Sequence, residues 1–420
     1  MFQKIKRLLY FSIAGYFAFF AKIRLKKWNP RIVIITGSSG KTTLLHLVES
    51  QLGDKARYSH HANSSIGIPF DILGLYRKDL IFSEWPMLFL LTPFKIFSPI
   101  PNESIYIVEA DCDRSGEGKF LSTLLKPEVT VWVNVSRTHS ANFDKKDFKS
   151  IDEAIAYEFG YFAENTKSLV VVNADNAMIS EQLTRVTSSI KSISIATDLQ
   201  EYEISLVGTL FKTKRGNFIF PYLLPKETAT SILISLELNS YFGIKGDKTF
   251  KNFNMPPGRS SFYKGVKNTT IVDSTYNSNL DSVSAVLEMF GQIKSGRKWA
   301  VLGDMLEQGE LEKEEHEELA NEILKYKFEK IILMGPRVIK YTYPKMVKLV
   351  PSKGATETFL GPKEVLNFLN SNLKGGEIIL FKGARFLEGV IENLLKDKKD
   401  IKTLARRERV WEIRRKKWGL

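Results

Sequence analysis

Two blocks of alternating pattern run along this chain of 420 residues. From Arg31 to about Asn254, short apolar runs alternate with stretches of helical periodicity. The runs 31–36, 104–109, 130–135, 168–173 and 193–196 are β-branched or aromatic and free of internal charge, so each predicts a strand. Strands that alternate with helices predict a largely parallel sheet covered by helices. Residues 202–222 break the rhythm with short strands around Lys214-Arg215-Gly216-Asn217, which predicts a hairpin at the edge of that sheet. Met255-Pro256-Pro257-Gly258-Arg259 breaks both helix and strand and reads as a linker. Past it, a second alternation runs to about Leu395, with strands near 269–273, 298–302, 330–334 and 377–381. The expected fold class is α/β in two domains, 31–256 and 257–396.

The ends of the chain read differently. Leu8 to Ala21 is an uncharged run flanked by cations on both sides. A spanning helix needs ~20 apolar residues, so this run is short for one. It predicts a shallow anchor or a marginal span stretched by snorkelling lysines, the alternative being a buried core helix. No small-residue cleavage pattern follows it, so a removed signal peptide is not expected. Leu80 to Pro101 is apolar and aromatic with four prolines, which excludes a regular helix throughout. It reads either as a loop packed on the protein or as a lipid-facing segment. The net charge of +14 sits at the two ends. Residues 1–31 carry eight basic groups and no acid, and residues 396–420 carry eleven basic groups against four acids. Segments 1–30 and 397–420 are therefore set apart as a membrane-seeking segment and a basic tail. Charge at the ends rather than on a folded face weakens a nucleic-acid reading and favours an anionic membrane surface. The single cysteine, Cys112, forms no internal disulfide, which suits the cytoplasm, here at the inner face of the plasma membrane. A monomer is expected.

The candidate chemistry begins at Thr36-Gly37-Ser38-Ser39-Gly40-Lys41-Thr42-Thr43. An apolar strand, 31–35, precedes it, and a helical pattern, Leu44 to Leu52, follows and closes at Gly53. This is the setting of a phosphate-cradling loop: glycines let backbone N–H groups approach phosphate oxygens, and the helix N-terminus adds its positive end. Lys41 is expected to meet the β- and γ-phosphates and the Thr42 hydroxyl to ligate Mg²⁺. Ile35 stands where the longer form of this motif has its first glycine. Glu109 ends the strand 104–108, and His139 follows the strand that closes in Asn134. In an open parallel sheet ligands bind beyond the carboxyl ends of the strands, so both residues are expected beside the phosphate loop as catalytic and metal-binding groups. Imidazole is the less usual partner for magnesium.

These residues complete a resemblance. The Thr36–Thr43 loop, Asn63–Pro69, Ile107–Ala110, Gly116-Glu117, Lys126–Val135 with His139, and Asn173–Asn176 resemble the central domain of the Mur ligases. Pro257-Gly258-Arg259, Asp273–Asn279, Val301–Glu307 with His316, and Phe381–Arg385 resemble their C-terminal domain. The resemblance covers about 31–395 in collinear order. The phrases Asp-x-x-Tyr-Asn-x-Asn and Leu-Gly-Asp-Met-x-Glu are most similar to the branch that adds D-alanyl-D-alanine to a muramoyl tripeptide.

The resemblance implies a P-loop central domain, a C-terminal Rossmann-like α/β domain, and ATP- and Mg²⁺-dependent amide-bond formation. A substrate carboxylate takes the γ-phosphoryl group, and an amine then displaces phosphate from the acyl phosphate. It further implies that Asp273, Tyr276 and Asn277 help hold the nucleotide and that Arg259 lies at an interdomain hinge near it. Asn63, Ser64, Lys382 and Arg385 are assigned to the substrate, a cell-wall peptide precursor with an amino acid or dipeptide.

Two departures stand out. Relatives carry a carbamylated lysine upstream of the Asn173–Asn176 landmark, and Tyr157 occupies that position here. Glu158, or Glu153, is the expected substitute source of an anionic oxygen; the alternatives are a single metal or lost activity. Only about thirty residues precede the phosphate loop, in place of a uridine-binding domain, which points to a lipid-linked acceptor as an alternative substrate. From another class, the rival is a catalytically degenerate nucleotide-binding scaffold.

Overall fold

Burial with a period of two builds the first sheet. In β1 (Arg31–Thr36), Ile32 and Ile34 enter one apolar cluster while Val33 and Ile35 enter another on the opposite face. Side chains of a strand alternate between faces, and a strand buried on both reads as a continuous apolar run. The computed structural model describes residues 2–60, 62–143, 147–294, 296–350, 356–384 and 386–420, with side chains from residue 9 onward. These fall into two units. The first comprises 1–137, 142–198 and 229–254; the second comprises 138–141, 199–228 and 255–420.

The first unit holds a six-stranded parallel sheet. Besides β1 its strands are β2 (Ala56–Tyr58), β3 (Ile105–Ala110), β4 (Val129–Trp132), β5 (Leu169–Asn173) and β6 (Ser189–Ile193), in the order β2-β3-β1-β4-β5-β6. β1 is central, so the loop that follows it opens where the chain's path across the sheet reverses. The helices used below are α1 (Phe2–Trp28), α2 (Lys41–Leu52), α3 (Gly67–Leu73), α4 (Trp85–Lys95), α5 (Glu117–Leu125) and α6 (Ile151–Glu164). One expected strand is displaced. The strand is 189–193, and Ile195–Asp198 forms a helical turn where 193–196 was expected to be extended. Four of the five residues of β6 are exposed at the sheet edge, so it carries little apolar signal.

The run Leu8 to Ala21 is part of a longer helix whose inner face is covered. Ala14, Phe17, Ala21, Leu25 and Trp28 of α1 lie in the unit's core, and the Phe17 ring meets that of Phe70 edge-on at 4.6 Å. Polar bonds fix it further: the Tyr10 hydroxyl donates to Glu117 at 2.6 Å and Trp28 Nε1 to the Glu103 carbonyl at 2.7 Å. Among the described residues no helix is long and apolar enough to cross a membrane.

The second unit holds two sheets. Residues 202–222 do not join the edge of the first sheet. They form a separate antiparallel sheet of β7 (Leu199–Ser205), β8 (Gly208–Thr213) and β9 (Gly216–Phe220), with Lys214 and Arg215 at its second turn. The larger sheet contains β10 (Ser261–Lys264), β11 (Thr270–Ser274), β12 (Lys298–Gly303), β13 (Lys330–Met334), β14 (Thr356–Phe359) and β15 (Ile378–Lys382), in the order β10-β11-β15-β12-β13-β14. Only β10 is antiparallel. Ala300 and Leu302 face one apolar cluster, Trp299 and Val301 the other. The basic segment 397–420 packs on this unit. Leu404 and Ala405 are buried, and Arg415, also buried, donates to the Arg406 carbonyl at 2.7 Å.

His316 is part of this core. Its Nε2 accepts from the Met305 N–H at 3.2 Å, and its Nδ1 sits 2.7 Å from the Glu312 carbonyl, which assigns the proton to Nδ1. Burial lowers its pKa, outweighing the Glu312 carbonyl and the charges of Asp304 and Glu312. The unfolded chain therefore takes up a proton before the folded one does, and stability falls as pH drops below about 6.5, the ordinary histidine value. Thermal melts across that range are expected to show the decline, and His316→Gln to flatten it.

Candidate active site

At the end of β1 the backbone turns through Gly37, whose φ is 135°. The loop is seated on Asn134, just beyond β4. The Ser38 N–H donates to the Asn134 carbonyl at 3.2 Å and the Ser39 N–H to Asn134 Oδ1 at 2.9 Å. Asn134 Nδ2 in turn donates to Ser39 Oγ at 2.6 Å. Gly40, also at positive φ, opens α2, and Gly53 closes it as expected.

Three charged groups meet at this turn. Lys41 is buried, with Nζ donating to the Gly37 carbonyl at 2.5 Å and pairing with Asp111 Oδ2 at 2.7 Å. Burial alone lowers its pKa, but the carboxylates of Asp111 and Glu109 overcome that and raise it, so the ammonium is charged. The Thr42 hydroxyl donates to Glu109 Oε2 at 2.8 Å, and the Glu109 N–H is held by Ser59 Oγ at 2.9 Å. The register of β1 on β3, Ile35 beside Glu109 and Thr36 beside Ala110, brings Asp111 to the lysine. Asp111 was not singled out in the sequence; an acid two residues past Glu109 was the available signal.

The donor set suits magnesium. A hydroxyl and a carboxylate already in contact are hard oxygen ligands, and Mg²⁺ takes few protein ligands beside waters and substrate phosphates. Of the expected metal ligands, Thr42 and Glu109 are brought together. His139, at a φ of 54°, pairs through Nδ1 with the Glu307 carboxylate.

The remaining first-unit candidates also have definite partners. Both Glu158 oxygens are committed to the start of α5, accepting from the Gly116 N–H at 2.7 Å and the Gly118 N–H at 3.2 Å. A carboxylate there satisfies orphan helix donors and complements the helix dipole. Neighbouring Tyr157 stacks under the Arg185 guanidinium at 4.0 Å. The Asn63 carbonyl accepts from the Asp111 N–H at 2.8 Å, and Ser64 Oγ accepts from the Gly67 N–H at 3.1 Å at the start of α3.

In the second unit, Asp273 and Lys382 stand at the carboxyl ends of the paired strands β11 and β15. Asp273 is buried; Oδ1 accepts from the Thr275 N–H and hydroxyl at 3.0 and 2.7 Å, while Oδ2 has no hydrogen-bond partner among the described residues. Burial raises its pKa against those two bonds. Lys382 Nζ donates to the Asn277 carbonyl at 2.6 Å. Burial, with the Arg259 charge, lowers its pKa to about 7, against an opposing pull from Asp273. The Tyr276 ring has Arg259 at 4.2 Å and Arg406 at 5.7 Å. Arg259, Asp273, Tyr276, Asn277 and Lys382 thus share one corner; Arg385 lies outside the described residues. Arg406 is an addition. It comes from the segment read as a basic tail and donates to the carbonyls of Thr275 and Tyr276 at 3.2 and 2.5 Å. The buried Glu388 holds it from behind at 3.5 Å.

Comparison with known proteins agrees with this geometry. A model of the Mur ligase middle domain matches residues 35–227, and one of the Mur ligase glutamate ligase domain matches 258–385. The UDP-N-acetylmuramoyl-tripeptide–D-alanyl-D-alanine ligase of Bacillus subtilis is 24% identical over 398 residues, covering 90% of this chain and 78% of that protein. The crystal structure of MurF from Acinetobacter baumannii superposes with a TM-score of 0.72 at 18% identity, over 92% of this chain and 80% of the other. MurF ligase from Thermotoga maritima, solved in complex with ADP, gives 0.70 at 21% identity, over 93% and 84%. With both domains matched in order, the phosphate loop at the mouth of a parallel sheet and the second corner built on β11 and β15, the chain belongs to the Mur ligases, a family of ATP-dependent peptide ligases.

Proposed function

We propose that this ligase joins the amine of an amino acid or dipeptide, D-alanyl-D-alanine first among them, to a carboxyl of a muramoyl-peptide precursor. The observation that carries the reading is the contact set Lys41, Thr42, Glu109 and Asp111 at the mouth of β1, in a chain with relatives named for that reaction. The acceptor carboxylate attacks the γ-phosphorus of ATP, ADP leaves, and an acyl phosphate forms. The amine then attacks the acyl carbon, the tetrahedral intermediate expels phosphate, and the amine's proton passes to solvent or a base. Such transfers depend on positioning and on neutralising charge over the phosphoryl oxygens. Lys41 would leave Asp111 for those oxygens, while the loop N–H groups bind the remaining phosphates. Thr42 and Glu109 would hold Mg²⁺, which supplies further positive charge beside the triphosphate. Arg259, Tyr276 and Asn277 are assigned to the nucleotide, with Arg406 fixing the loop that carries them. Asn63, Ser64 and Lys382 are assigned to the substrates.

The reading places the chain as a monomer at an anionic membrane surface, where a lipid-linked acceptor is the second candidate. The test is phosphate release from ATP with muramoyl-tripeptide acceptors, nucleotide-linked and lipid-linked in parallel, each with and without D-alanyl-D-alanine. Release only when acceptor and amine are both present is expected. ATP binding without turnover on either acceptor overturns the reading in favour of a nucleotide-binding scaffold.

A further inference from the structure

α4 turns an apolar face outward. Phe82 before the helix, Met87, Leu90 and Phe94 on it, and Phe97 after it are between 64 and 86% exposed. The helix's one hydroxyl points inward: Thr92 is buried and donates to the Leu88 carbonyl at 2.6 Å. The outer face therefore presents no polar side chain between Trp85 and Phe94. Contiguous exposed apolar surface of this kind marks a place that another phase or molecule covers.

The face is held in position. Tyr16 of α1 donates its hydroxyl to the Phe89 carbonyl at 2.8 Å, and Phe17 packs on Phe89 with ring centroids 4.9 Å apart. Arg24, itself buried, donates to the carbonyls of Lys95, Ser98 and Pro99 at 2.8, 3.0 and 2.7 Å. A buried guanidinium that donates to three backbone carbonyls at a helix end fixes where that helix points.

Charge identifies the occupant. α1, which carries α4, exposes Lys22, Lys26 and Lys27, and Lys27 Nζ lies 5.2 Å from the Phe97 ring. Residues 1–31 contain no acid. The carboxylate at the edge of the patch, Glu84, is turned to the backbone N–H groups of Lys78, Asp79 and Ile81 and to Arg77. An aromatic and aliphatic centre with lysines beside it matches the acyl–headgroup boundary of an anionic bilayer, with lysine stems snorkelling to the phosphates. A second copy fits less well. A two-fold contact through this face would set one lysine rim against the other.

We propose that the outward face of α4, with the lysines of α1, is the surface by which this chain rests on an anionic lipid bilayer. The membrane face is thus centred on the short helix that α1 holds out, while the inner side of α1 itself is in the core. The inference rests on the membrane-surface part of the proposed function and is independent of the acceptor's identity.

Flotation of the full-length chain with vesicles of phosphatidylcholine, with and without phosphatidylglycerol, tests it. The wild type is expected to float with the anionic vesicles, less so as salt rises. The pair Leu90→Ser and Phe94→Ser is expected to lose roughly tenfold or more of that binding. Lys22→Glu with Lys26→Glu is expected to lose the phosphatidylglycerol-dependent part alone. ATP binding, followed in every variant, is expected to hold, which separates loss of the membrane face from loss of fold or of the ligase reading. Absence of wild-type flotation on anionic vesicles overturns the proposal, as does flotation unaffected by the Leu90 and Phe94 pair. A wild-type dimer in solution that the same pair dissolves would also overturn it, by showing that a second copy covers the face.

Discussion

Lys41→Ala is expected to lower ATP turnover by on the order of 10³, the upper range for removing one preorganised positive group from a reacting oxyanion. The same change is expected to cost stability for a separate reason. Lys41 and Asp111 are a buried pair 2.7 Å apart. Removing the cation leaves Asp111 buried and uncompensated, a loss of about 3 kcal/mol in comparable cases. The two effects separate in a cycle. The double variant with Asp111→Asn is expected to recover most of the melting temperature while turnover stays lost, because amide replaces carboxylate in the pair but nothing replaces the ammonium at the phosphates. Thermal melts and coupled phosphate-release assays on the four proteins measure both. Turnover near wild type in Lys41→Ala would remove the phosphate loop from the mechanism, whatever happened to stability.

The parts of this site that sequence made legible are those whose determinants are adjacent in the chain. Gly37, Gly40, Lys41 and Thr42 lie within one turn between a strand and a helix, and the motif, the strand and the helix each point to the same place. Glu109 was legible because a strand's carboxyl end is a fixed position in a parallel sheet. Asp111 was not, because its approach to Lys41 depends on the register of β1 against β3. Arg406 was hidden for a related reason. The residues that follow it, Arg407 to Arg409, are charged as it is, and what separates it from them is Glu388 and the loop after β11, both distant in the chain. α1 misled by excess of signal. Its buried positions, Ala14, Phe17, Ala21, Leu25 and Trp28, follow helical spacing, but Leu9 and Phe19 make the other side apolar as well, so the pattern does not say which face is covered. The second unit's central strands fell within a residue or so of their expected places, since each is a continuous apolar run buried on both faces.

Gly37→Ala is expected to abolish tight ATP binding without removing any charged group. At a φ of 135° an alanine is strained, and its Cβ would lie 2.7 Å from the Asn134 carbonyl oxygen and 2.9 Å from its nitrogen. Those are backbone atoms just past β4, so they cannot turn aside as a flexible side chain would. Either the loop lifts from Asn134 or the strand end shifts, and both move the N–H groups that Asn134 aligns through Ser38 and Ser39. A displacement near 1 Å at such donors costs about 10² in affinity or rate, and the strained backbone adds on the order of 3 kcal/mol of instability. Gly53→Ala supplies the control at the other end of α2. Its φ is 51°, and nothing lies within 4 Å of the added Cβ. With ψ at −134° this is a backbone region that glycine favours, so alanine there costs on the order of 2 kcal/mol without any steric clash, and its ATP affinity is expected to match wild type. Calorimetric titration with ATP and thermal melts on both variants decide the matter. If the two lose ATP affinity equally, the loss comes from softening α2, and the seating of the loop on Asn134 is not what aligns the phosphates.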